Sequence, residues 1–175
     1  MPTGYQTLAT PVDQLPAITL HAPSQPAEMD AVREIFREYA DSLAIDLAFQ
    51  HFEQELDALP GEYAPPRGQI LLATVGGSVA GCCALRPLDT ADYPNASEMK
   101  RLYVRKAFRG FGLGRQLAEA MLDVARQAGY ACVLLDTLDG MESARALYAD
   151  LGFQEIPPYY HNPLEGSHYL KVDIF

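Results

Sequence analysis

Lys100, Arg101, Arg105, Lys106, Arg109 and Arg115 crowd into residues 100–115 and are six of the chain's thirteen Lys and Arg residues. No acid interrupts them, although the whole chain carries a formal charge of -10. Gly110, Gly112 and Gly114 alternate through the same stretch, which leads into an apolar pattern at helical spacing. Such a turn is suited to holding an anion. The first amides of a helix lack intrahelical partners and lie at the positive end of its dipole, so phosphate is favoured there. Glycine lets the backbone come close because no Cβ intervenes.

Periodicity and punctuation predict the elements that must position this turn. Residues 1–15 are polar and without period, and are read as a loose arm ahead of one domain, 16–175. A short strand is expected at 17–20. Pro23-Ser24-Gln25-Pro26 then opens a helix with Met29, Val32, Phe36, Tyr39 and Leu43 on one face. A second helix over 49–59 puts Phe49, Phe52, Leu56 and Leu59 on one side. Strands at 69–75 and 78–85 meet at Gly76-Gly77 as a hairpin, and another strand covers 98–104. After the glycine turn, Leu113, Leu117, Ala120, Met121, Val124, Ala125 and Ala128 recur at helical spacing up to a stop at Gly129. The apolar run 131–135 reads as a strand buried on both faces. Asp139 is expected to cap the next helix, with Glu142 as its capping-box partner and Ala144, Leu147, Tyr148 and Leu151 on one face. Strands at 153–156 and 167–174 close a mixed α/β layer.

Composition narrows the function classes. A sequence pI near 4.7 argues against nucleic acid as a partner, which favours a basic face. No apolar run is long enough to span a bilayer, and the start of the chain lacks the basic and apolar regions of a signal peptide, so no membrane partner is expected. Cys82, Cys83 and Cys132 are too few and too oddly spaced for a disulfide framework or a metal site, and read as small buried hydrophobes. No metal and a cytoplasmic location are the expectations. No G-x-x-x-x-G-K-[ST] string occurs, and Arg115 stands where a dinucleotide fingerprint needs glycine or alanine.

The string Arg109-Gly110-Phe111-Gly112-Leu113-Gly114 matches R/Q-x-x-G-x-G/A and resembles motif A of the GNAT superfamily of N-acetyltransferases. The stretch 98–104 resembles the family's fourth strand. The stretch 144–153 resembles the A-x-x-L-Y-x-x-L-G-F of its motif B. The resemblance covers residues 17–174 and is strongest over 97–155. It implies a single-domain α/β fold with a twisted, mostly antiparallel sheet of about seven strands flanked by about four helices. It also implies transfer of an acetyl group from acetyl-CoA to a primary amine of a small molecule or peptide, by direct attack. Homodimers are common in the family, so a second copy is a further expected partner.

Roles follow from the resemblance residue by residue. Arg109, Gly110, Gly112, Gly114 and Arg115 would hold the pyrophosphate of acetyl-CoA. Leu102 and Val104 would act through their backbones on a strand that splays from its neighbour, pairing with the pantetheine arm and polarising the thioester carbonyl. Tyr148 would protonate the leaving thiolate, since a phenol remains protonated at neutral pH. Glu98 is the candidate base, as a carboxylate of raised pKa near the acceptor, set against a plain salt bridge with Lys100 or Arg101. Tyr159, Tyr160 and His161 would line the acceptor pocket, with His161 a second candidate base. Tyr39, Asp41, Phe49 and His51 would form its other wall. Many family members carry Asn where this chain has Met141. The cysteines have no basic neighbour to lower their pKa, which disfavours an acetyl-cysteine route. A coenzyme A-binding sensor or partner module without catalysis, or an acyltransferase using another acyl-CoA, are the alternatives.

Overall fold

The computed structural model describes residues 16–175 apart from Ala44; the arm expected at 1–15 lies outside them, as does the side chain of Phe49. The described chain runs β1 (Ile18–His21), α1 (Pro26–Ser42), α2 (Phe52–Ala58), β2 (Gln69–Val75), β3 (Ser78–Pro87), β4 (Ala96–Val104), α3 (Leu113–Gln127), β5 (Cys132–Leu138), α4 (Glu142–Asp150), β6 (Gln154–Ile156) and β7 (Ser167–Asp173). The seven strands form one sheet in the order β1-β2-β3-β4-β5-β7-β6. Every neighbouring pair is antiparallel except β4 with β5. Among the described residues no helix is long and apolar enough to cross a membrane.

Local chemistry accounts for most boundaries. Pro26 starts α1, where its missing N–H costs nothing, and the Glu28 carboxylate accepts from the Gln25 amide at 3.3 Å. Gly76 and Gly77, both at positive φ, turn β2 into β3 as the sequence predicts. The helix expected over 49–59 is broken. His51 takes a left-handed backbone (φ 56°), ending a 3-10 turn over Ala48–Gln50 and letting α2 start afresh at Phe52. The capping box expected at Asp139 does not form. Met141 occupies the N-cap position of α4 with no side-chain capping bond, and the Asp139 carboxylate instead meets the His168 ring.

Two apolar layers sandwich the sheet. Leu113, Leu117, Met121 and Ala125 of α3 pack on one face with Leu71, Leu85, Met99, Leu135 and Tyr148. Val32, Ile35 and Phe36 of α1 pack on the other with Phe52, Leu56, Leu72 and Cys82.

The sheet is irregular at its centre in two ways. Ala84 pairs with Lys100 and Cys82 with Tyr103, so Arg101 and Leu102 together oppose Cys83 in a β-bulge. Arg101 sits at φ 61° there, and the Cys82 thiol donates to its carbonyl at 3.1 Å. Pairing of β4 with β5 stops at Glu98 and Leu134, although both strands continue to Val104 and Leu138. Beyond that point the two strands part, and the sheet is split.

Candidate functional site

Two cavities meet at the split and share Tyr39, Leu43, Leu102 and Met141 as walls. The larger is a cleft of about 820 Å³. It is lined by the free end of β4 (Leu102, Tyr103, Val104), by the turn from Arg109 to Arg115, and by the start of α4 from Gly140 to Ala144. That volume lies within the range of small-molecule sites. Gly110 and Gly112 both take positive φ (89° and 78°), and Gly112 is the residue from which α3 starts. Leu113, Gly114 and Arg115 of the first helical turn all border the cleft, and their amides are the ones a helix cannot pair internally. A Cβ on Gly112 would meet nothing within 4 Å, so glycine here serves the left-handed backbone and an open cradle.

The basic island is not gathered at this turn as the sequence suggested. Of its six cations only Arg109 and Arg115 line the cleft. Arg109 Nε donates to the Val104 carbonyl at 2.9 Å, and Arg115 reaches Asp150 at 2.8 Å. Arg105 turns away to Glu38 at 2.6 Å. Lys100 and Arg101 are buried, 7% and 4% exposed, beside α2. The bulge explains both. It turns two consecutive side chains the same way, so each donates to Gln50 Oε1, at 3.2 and 2.9 Å.

The smaller cavity has an accessible interior of about 40 Å³, room for roughly three waters. Gln50, Lys100, Arg101, Asp136, Thr137 and Tyr148 give it polar walls, with Met99, Leu102, Leu138 and Leu164 among the apolar ones. Arg101 is fully engaged. Glu55 receives two of its N–H groups, at 3.0 and 3.1 Å, and the Phe52 ring lies beneath the guanidinium. Asp136 accepts from the Tyr160 hydroxyl at 2.5 Å and from Asn162 at 3.4 Å.

Tyr148 projects from α4 into this pocket, while its neighbour Leu147 lines the cleft. Burial drives its phenol well above the ordinary value, with Cys83, Tyr39 and Asp136 adding to the rise, so the group holds its proton. Tyr39, on the wall between the cavities, is pushed up to about 12, chiefly by burial.

Glu98 behaves differently from the expectation. It is 1% exposed and borders neither cavity. Arg86 donates to one oxygen at 2.8 Å and the Tyr159 hydroxyl to the other at 2.7 Å. Burial pushes its pKa up, but Lys100, Arg86 and these hydrogen bonds outweigh burial and hold the carboxyl below its usual range. The carboxyl is paired, and its pKa is lowered rather than raised as expected. Neither Tyr159 nor Tyr160 borders either cavity; Tyr159 donates to Glu98, and Tyr160 donates to Asp136 and accepts from Gln50 Nε2 at 3.3 Å. His161 is exposed and borders neither cavity.

Of the other expected wall residues, Tyr39 is in place, whereas Asp41 and His51 are exposed and face elsewhere. Asp136 and Gln50 were not singled out from the sequence. The one signal for Asp136 is an acid directly following the apolar run 131–135. Met141, standing at the usual Asn position, lines both cavities and takes a contact from the Thr137 hydroxyl at 3.7 Å. The thiols of Cys82 and Cys83 are fully buried and pushed up by burial, Cys83 to about 12, and none of the three cysteines borders a cavity. Among the described residues no group of three His, Cys, Asp or Glu side chains converges as a metal site.

Residues 29–153, most of the chain, match the model of the acetyltransferase (GNAT) family. The chain belongs to the GNAT family. An uncharacterized N-acetyltransferase of Schizosaccharomyces pombe is 35% identical over 158 residues, spanning 90% of this chain and 95% of that protein. An IAA acetyltransferase of Azospirillum brasilense is 36% identical over 96 residues, 55% of this GNAT chain and 61% of the relative. The fold matches a GNAT acetyltransferase from Staphylococcus aureus with a TM-score of 0.72 at 22% identity, over 91% of this chain and all (100%) of that one. It also matches a putative acetyltransferase from Salmonella typhimurium whose structure contains acetyl-CoA, with a TM-score of 0.65 at 21% identity over 91% of this chain and 95% of that one.

Proposed function

We propose that this protein transfers an acetyl group from acetyl-CoA to a primary amine by direct attack. One observation carries the reading. A backbone-walled cleft and a small polar pocket meet at the split in the sheet, with Tyr148 on the pocket side of the junction. The larger cleft fits coenzyme A. Its glycine turn offers unpaired amides to a diphosphate, Arg109 and Arg115 add charge, and the unpaired edge of β4 is free to bind an extended arm.

Bound acetyl-CoA supplies the activated acetyl group, whose C–S bond breaks as the C–N bond to the acceptor forms. Leu102 and Val104 hold the donor through the free edge of β4, with an amide there polarising the thioester carbonyl. Asp136, the carboxylate on the pocket wall, receives the acceptor's ammonium and takes its proton directly or through water. The Tyr148 hydroxyl gives a proton to the departing sulfur, and its buried, proton-retaining state suits a donor. The narrow pocket favours acetyl over longer acyl groups.

The test is release of free thiol from acetyl-CoA across a panel of amines, with mass detection of the acetylated product. Thiol release that depends on an amine supports the reading. Tight coenzyme A binding with no release for any amine contradicts it and favours a binding module.

A further inference from the structure

The acceptor-side pocket presents one charge of each sign, Lys100 and Asp136, that do not meet each other. Lys100 follows Glu98 by two residues on β4, and Asp136 follows Leu134 by two on β5. Glu98 and Leu134 are the last paired residues, so Lys100 and Asp136 face each other across the opening split. Both line the same cavity, yet no ion pair within 4.0 Å joins them. Arg101 is clasped by Glu55, and Glu98, behind the pocket wall, pairs closely with Arg86 and more distantly with Lys100. Lys100 is 7% exposed and carries three donors. It makes a single hydrogen bond, to the neutral Gln50 at 3.2 Å, and stands 3.9 Å from Glu98, beyond hydrogen-bond reach. Asp136 likewise accepts only from neutral groups, Tyr160 and Asn162. A buried ammonium with spare donors and a carboxylate held by neutral donors are costly unless a ligand completes them.

We propose that the acceptor is a small zwitterion, a free α-amino acid or close analogue, whose ammonium meets Asp136 and whose carboxylate meets Lys100. This rests on the acetyl-transfer reading and specifies its substrate. Such a molecule places one charge against each of these two residues, the rest of it extending into the adjoining cleft. A simple amine or a peptide N-terminus would leave the spare Lys100 donors unused, with only the more distant Glu98 as counter-charge. The Tyr160 and Asn162 donors keep the Asp136 carboxylate turned to the split, which makes them positioning residues.

The experiment measures kcat/KM with acetyl-CoA for free L-amino acids, each against its own carboxamide, in the native protein and in Lys100→Met and Lys100→Gln. Acetyl-CoA binding is followed in parallel by calorimetry. The native protein should prefer the acid of at least one pair by roughly ten- to a hundred-fold, the span of a charged hydrogen bond. In both variants that ratio should collapse towards one through KM. Equal use of acids and amides overturns the proposal, as does turnover confined to amines without a carboxylate, or a preference that survives both substitutions. The native comparison decides the matter even if a variant fails to fold. Turnover of any amine preserves the acetyl-transfer reading whatever the fate of this one. Acetyl-CoA bound with no amine of any kind accepted removes both.

Discussion

The two cavities at the split are built in opposite ways. The larger cleft is made of backbone: three alternate glycines, the first amides of α3 and an unpaired strand edge. Its diphosphate cradle lies within a short span of sequence, Arg109 to Arg115, and its cations are few and exposed. The small pocket is made of side chains from α1, the 3-10 turn before α2, β4, β5 and α4, held by buried ion pairs and tyrosine hydroxyls. A surface that recognises an invariant diphosphate can use main-chain donors, which are the same whatever the side chains. A surface that chooses one acceptor must use particular charges, and these need partners from elsewhere in the fold.

That contrast predicts where substitutions act. Gly112→Val should weaken acetyl-CoA binding at least about a hundred-fold by calorimetry, because losing two amide-phosphate bonds costs about 3 to 6 kcal/mol. A β-branched residue at φ 78° also strains the turn. Unaltered affinity would erase the distinction between the cavities. Glu98→Gln should act on stability, costing about 3 to 5 kcal/mol in urea unfolding as Arg86 and the buried Lys100 lose their shared carboxylate. Its pH dependence follows from the direction of the shift. Glu98 titrates lower folded than unfolded, so its stabilisation is complete above the ordinary glutamate range and fades as pH falls through the lower folded value. The variant should flatten that acid limb, and an unchanged limb would contradict the pairing.

Tyr148→Phe should lower kcat by about a hundred-fold, within the span of general-acid effects, and leave acetyl-CoA affinity intact. A loss of affinity with unchanged kcat would move Tyr148 to the binding side of the comparison. His161→Ala, at an exposed residue bordering neither cavity, should change kcat/KM less than about two-fold, as surface positions do. A large loss would place the 159–163 loop in the chemistry.

The same contrast explains how much could be read from the chain. Strand alternation, the Gly76-Gly77 hairpin and the glycine turn before α3 are local signals, and the structure reproduces them. The pocket is non-local. Lys100 and Arg101 look in sequence like part of the phosphate turn, and only a bulge against Cys83 turns both toward Gln50. Asp136 and Thr137 end an apolar run and resemble a strand terminus, yet β5 continues through them because they stay paired with Tyr169 and His168 of β7. Glu98 could not be placed without Arg86 and Tyr159, which come from separate strands and loops.

The central claim is that main-chain amides around Gly112 grip a diphosphate and so aim the thioester at the split. Calorimetric titration with coenzyme A and, separately, with pantetheine lacking the diphosphate tests it most directly. Coenzyme A should bind, with pantetheine weaker by at least about a hundred-fold. Equal affinities, or no binding of coenzyme A at all, would contradict it.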